Sequence, residues 1–353
     1  MAIIILLFIP SAAALGTGSG FMGLSALGWI SFLIMWVGQL LIFQRGMETI
    51  RRFIDFCGPA VYVIMFILAG WILWHSGLSS LSLQLGEPVA GSSLGHMANA
   101  AMLVIAYFAA LLLNFGDFAR FAENERAMKL GNFLGLPLNF IVFALITVIV
   151  TSGTVAVFGE AIMDPVAIVE RIDSPIVAII GSITFIVATM GINIVANFVS
   201  PAYDIANLYP QKITFRLGGL ITSILSVLVC PWLFVQSPGA ITAFVAIFGA
   251  VLGPMYGVMI ADYYLVKHGH VELHDLYSTS PKGSLYFERG WSHTALKALA
   301  VSGFVAIGLA LLGGFGLIYN VGDWGWLIGA VLGGVLHHAL SLRAAKPVPV
   351  AAQ

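Results

Sequence analysis

The sequence predicts an all-α polytopic membrane protein, and three observations carry that prediction. Hydrophobic residues fill 60% of the 353 positions, charged residues only 9%, and the mean hydropathy is +1.00. Nine apolar stretches approach or reach the roughly 20 residues that a bilayer crossing needs. Fourteen of the fifteen Lys and Arg residues fall in alternate connections between those stretches. Lipid offers no partner to free backbone N–H and C=O groups, so each stretch is read as a helix.

The chain opens on residues 1–15, apolar but shorter than a full span, followed by a Gly/Ser-rich run. The small residues Ala12, Ala13 and Ala14 are compatible with a signal-peptide cleavage site, yet no basic region precedes them. The segment is therefore expected to be the C-terminal part of a helix whose beginning is missing. Residues 26–43 form the first full stretch, and Arg45, Arg51 and Arg52 follow it. Residues 59–74 and 97–113 come next, with Arg120, Arg126 and Lys129 behind the second of them. Residues 134–158 and 175–199 precede Lys212 and Arg216; Ser200-Pro201 is expected to end the latter stretch, because proline lacks the donor a helix needs to continue. Residues 217–235 and 241–266 precede Lys267, Lys282, Arg289 and Lys297. Residues 298–317 and 326–342 precede Arg343 and Lys346.

Each basic group follows an odd-numbered stretch, and the remaining connections hold only Arg171. They carry Glu160, Asp164, Glu170 and Asp173 instead. Positive charge in short loops is retained on the cytoplasmic side. The expected location is thus a cell inner (plasma) membrane, with residues 1–342 as a single transmembrane domain and 343–353 as a cytoplasmic tail. Trp71, Trp74, Trp291, Trp324 and Trp326 lie at or near span ends, where amphipathic rings meet the headgroups. Gly249, Gly253 and Gly257 recur every four residues, and Gly329 with Gly333 repeats that interval. Small residues so spaced let helices approach closely.

Several functions are disfavoured. A net charge of −1 argues against a nucleic-acid partner. Cys57 and Cys230 are far apart, within or beside predicted spans, and indicate neither a disulfide framework nor a zinc site. His268, His270, Glu272 and His274 share a connection without the helical spacing of metal ligands, and the adjacent His337 and His338 face different sides of a helix. No HExxH motif or Walker-type loop is present, and neither an enzyme, a metal nor a cofactor is expected.

Polar groups inside apolar stretches are then the informative residues. Asn114, Gly116 and Asp117 interrupt a stretch near its end, as in the discontinuous helices that build transporter sites; a plain helix terminus explains them as well. Asn193 and Asn197, four residues apart, share one helix face. Their amides match a ring that alternates C=O and N–H groups. They also suit interhelical hydrogen bonds that hold a bundle together.

Four segments, in order, resemble the nucleobase–cation symporter-1 family. They are Arg45-Gly46-Met47-Glu48 with Gly58-Pro59-Ala60, Leu113-Asn114-Phe115-Gly116-Asp117-Phe118-Ala119-Arg120, Ala196-Asn197-Phe198-Val199-Ser200-Pro201-Ala202, and Gly253-Pro254-Met255-Tyr256-Gly257 through Asp262-Tyr263-Tyr264 to His274-Asp275-Leu276-Tyr277. The resemblance implies a leucine-transporter-like inverted-repeat bundle, its first repeat incomplete, whose fourth to twelfth helices are the nine stretches. It implies a secondary transporter that imports a nucleobase or related planar amide heterocycle (uracil, cytosine, allantoin, hydantoin) with a proton or sodium. Asn197 falls on the family's substrate asparagine, and Asn193 lies one turn before it. Phe108 falls on a stacking aromatic, and Tyr107 on the backbone contact beside it. Ala188 matches a carbonyl of the sodium site, whose two hydroxyl positions are Gly191 and Ile192 here. A hard cation wants oxygen ligands, so proton coupling is favoured over sodium, with Asp117 and Asp204 as candidate carriers. The family's first helices, which supply further site residues, have no counterpart in this reading. The alternative expectation is accordingly a truncated, non-transporting membrane remnant or interaction protein.

Overall fold

Hydropathy alone places nine helices, and all nine form. The computed structural model describes residues 1–18, 20–82, 92–172, 174–236, 238–278, 280–314 and 324–344, and the helices long and apolar enough to cross a membrane lie among them. Helix α1 spans Ala26–Gln44, α2 Met47–Ser76 and α3 Ser93–Leu113. Helices α4 (Glu125–Phe158) and α5 (Pro175–Leu208) each run on through a wider π turn. Helix α6 is Phe215–Leu228, α7 is Pro238–Ala261 with a π extension over Asp262–Val266, α8 is His293–Gly314 and α9 is Gly325–Ala344. Asp173, Lys346, the end of the eighth stretch (315–317) and the tail from residue 345 lie outside the described residues.

Three boundaries differ from the sequence reading, each for a local reason. Helix α2 begins at Met47, twelve residues before Pro59, because Glu48 pairs with Arg51 and Arg52 one turn on, both at 2.9 Å. Charges expected in a loop therefore belong to helical turns. The same holds for α4: Asn124 caps it by accepting from the Ala127 N–H at 2.8 Å, and Glu125 pairs with Lys129 at 2.6 Å. The third difference corrects an expectation: Ser200-Pro201 does not end α5, which continues to Leu208. Proline costs a helix one hydrogen bond and clashes with the carbonyl four residues back. The π turn over Ile194–Val199 widens the backbone just before Pro201, which then sits in the first turn of the segment that follows.

Two compact units share the chain: Met1–Val89 with Asp117–Leu233, and Ala90–Gly116 with Phe234–Gln353. In the first, Met65, Leu68 and Ile72 of α2 pack on Ile146 and Val150 of α4, with Ile162 and Ile168 beside them. A second cluster joins Phe43 and Ile50 to Ile194, Phe198, Val199 and Ala202 of α5. In the second unit the glycines do what their spacing suggests. A Cβ on Gly253 or Gly257 of α7 would run into the backbone of Trp326 or Ala330 on α9, and one on Gly333 would lie 2.7 Å from the Pro254 carbonyl oxygen. Gly249 meets α3 in the same way, its Cβ position 2.6 Å from that of Ala106.

Candidate functional site

Within the first unit, α1 turns Phe32, Trp36 and Gln39 to one side, a spacing that keeps all three on one helix face. Opposite them α5 presents Asn193, Asn197 and Phe198, and α6 supplies a third wall. The cavity between these helices holds about 620 Å³, inside the range of roughly 300–1,000 Å³ usual for small-molecule sites. Trp36 is held in place by its indole N–H, which donates to the Ser223 carbonyl at 3.0 Å.

Three amides cross this cavity as a chain. Asn197 Nδ2 donates to Asn193 Oδ1, and Asn193 Nδ2 donates to Gln39 Oε1 on the neighbouring helix. Gln39 is 6% exposed, Asn193 half-buried and Asn197 exposed. The two sequence readings of the asparagines thus separate: Asn193 makes the interhelical bond, while Asn197 keeps its carbonyl oxygen and one N–H for a further partner. Gln39 was not singled out from the sequence. Its signal was present, because it is the one amide within the apolar stretch 26–43.

The remaining candidates take different places. Ala188 is buried on α5, and Gly191 packs against Cys57, whose Cβ lies 3.0 Å from where a side chain at 191 would start. Ile192 is exposed. Gly191 and Ile192 themselves offer no side-chain oxygen to a cation, whereas Thr189 of the same turn carries a hydroxyl and lines the cavity. Asp117 is buried and ion-paired with Arg120, whose guanidinium lies 4.4 Å from the centre of the Tyr203 ring. Asp204 is exposed near the end of α5. Tyr107 and Phe108 belong to α3 in the second unit, where their rings meet edge to face at 5.1 Å. Asn114 closes α3, and a separate short helix, Phe115–Ala119, follows it.

A second polar group, whose pairing the sequence did not reveal, sits in the second unit. His337 of α9 is buried, and its Nε2 lies 3.1 Å from Asp262 Oδ1, while Lys267 pairs with the other oxygen of that carboxylate. Among the described residues, no group of three or more His, Cys, Asp or Glu side chains is arranged to hold a metal ion.

Comparison with known proteins agrees with this architecture. The family described as permeases for cytosine/purines, uracil, thiamine and allantoin matches residues 1–331. An allantoin permease of Bacillus subtilis is 33% identical over 97% of this chain and 69% of its own length. A purine-uracil permease of Arabidopsis thaliana is 31% identical over 81% of this chain and 48% of its own. A solved structure, the inward-facing conformation of Mhp1, superposes with a TM-score of 0.67 over 99% of this chain and 74% of that one, at 23% identity. That likeness shows the fold, a leucine-transporter-like helix bundle. Family match and sequence identity together show that the chain belongs to the nucleobase–cation symporter-1 family of permeases.

Proposed function

We propose that this protein is a secondary active transporter, not an enzyme, importing a planar amide heterocycle of the uracil, cytosine, allantoin or hydantoin class. The observation that carries the proposal is the amide chain ending in Asn197, open to a cavity walled by Phe32, Trp36 and Phe198. A flat ring with adjacent C=O and N–H groups can hydrogen-bond Asn197 and lay its faces on aromatic side chains. The family resemblance gives Phe108 as a stacking ring with Tyr107 beside it; within the first unit, Asn193 supports Asn197. Transport proceeds by alternating access around a midplane site, in the inner (plasma) membrane with the C-terminus in the cytoplasm. The coupling ion is a proton, a reading supported by the missing hydroxyls at Gly191 and Ile192; Asp117 and Asp204 are its carboxylate carriers.

Uptake of labelled uracil and allantoin into cells expressing the full chain, with and without sodium and a proton gradient, tests this. Asn197→Ala should abolish uptake at unchanged membrane abundance. Normal uptake by that variant would sink the site assignment. A chain that moves neither compound would point to a non-transporting membrane protein, and sodium-dependent uptake would remove the proton reading.

A further inference from the structure

We infer that Gln39 orients Asn197 and thereby selects ligands that donate an N–H to the Asn197 oxygen; this rests on the cavity being the substrate site. An amide carbonyl oxygen only accepts, so the bond that Gln39 Oε1 takes from Asn193 settles which end of the Asn193 amide is nitrogen. Asn193 then turns its oxygen toward Asn197, which answers with its nitrogen. Asn197 Oδ1 is left as the acceptor at the cavity. Donation therefore runs from Asn197 at the exposed end through Asn193 to Gln39 at the buried end.

Gln39 is placed to hold that direction. Its side chain is 6% exposed between α1 and α5, with little freedom to turn. Beside it, a Cβ on Gly38 would lie 3.0 Å from Met190 Cε of α5. Bonds in a sheltered chain also reinforce one another, so a change at residue 39 reaches Asn197. A ligand with a ring N–H beside a carbonyl meets both the acceptor and the remaining N–H of Asn197. One whose ring nitrogens are methylated has only carbonyls to offer, and Asn197 could satisfy two of them only by turning its amide over. Gln39 opposes that turn, which makes it a positioning residue.

The test measures binding of labelled uracil, and competition by 1,3-dimethyluracil, on membranes carrying the full chain. Wild type should prefer uracil by about tenfold, the worth of one hydrogen bond of ordinary strength. Gln39→Leu removes the acceptor and should bring that ratio close to one. Gln39→Glu keeps an acceptor at the same place and should retain the preference. The ratio is read within each variant, so a loss of folded protein does not alter it; if Gln39→Leu yields no binding at all, Gln39→Met, which also lacks the oxygen acceptor, takes its place, and an unchanged ratio there overturns the inference. An unchanged ratio in Gln39→Leu overturns the inference while leaving the site intact. Uracil binding that survives Asn197→Ala, or is absent from wild type, overturns the site reading and this inference with it.

Discussion

The two compact units both use glycines for close helix contact, Gly218 of α6 against the Ala202 carbonyl of α5 in the first, but they place their polar groups differently. In the second, glycines of α7 and α9 bring backbones together until no side chain fits between them. Its polar group joins the buried His337 to the half-buried Asp262. In the first, α1, α5 and α6 leave a cavity between them, and the amides of Gln39, Asn193 and Asn197 line it. Tight packing between helices in lipid comes from van der Waals contact of small residues. A cavity forfeits those contacts, and here the interhelical amide bond between Asn193 and Gln39 lies at its wall.

The largest expected effect would break the packed side of this contrast. Gly257→Leu puts a branched side chain against the Ala330 backbone and should cost more than about 3 kcal/mol, leaving little monodisperse protein on size exclusion. Gly303→Leu on α8, where a Cβ meets nothing within 4 Å, should elute as wild type does. Equal recovery of the two variants would mean that the glycine contacts do not hold the second unit together.

A middle-sized effect comes from the polar group of the same unit. His337→Leu leaves one Asp262 oxygen without its partner and should lower stability by about 1–3 kcal/mol in a thermal melt, with the KM for uptake unchanged. A changed KM with an unchanged melt would move His337 from support to transport. Asn197→Ala should show the reverse pattern, losing uptake and keeping the melt.

The smallest effect lies outside both helix bundles. Asp275, in the connection after α7, accepts from the Ser284 hydroxyl and, at 2.8 Å, from its backbone N–H; these bonds hold the carboxyl below its ordinary range. A depressed carboxyl stabilises above its unfolded pKa, near 3.9, and that contribution fades as pH falls through the lower folded value. Protease cutting of this connection should therefore stay slow at neutral pH and quicken only in acid. Ser284→Ala should be cut faster already at pH 7, and identical rates for the two proteins would remove the bond's role.

How much was legible beforehand follows from what kind of fact each one is. The spans were, because a residue's preference for lipid over water belongs to that residue and sums along the chain. The α7 and α9 glycines were legible as packing, since their interval marks a single face. Helix ends were less so. Arg51, Arg52 and Lys129 read as loop charges until Glu48 and Glu125 were seen one turn away, and Pro201 read as a stop until a π turn made room for it.

By itself, the sequence determined the class of protein, the order of its spans and the presence of Asn193 and Asn197 inside one of them. Only the tertiary structure decided what those amides face. Gln39 and Asn193 are 154 positions apart, and Asp262 and His337 are 75 apart. Hydrogen bonds are directional and short-ranged, so a partner exists only once two helices have been laid side by side in one register.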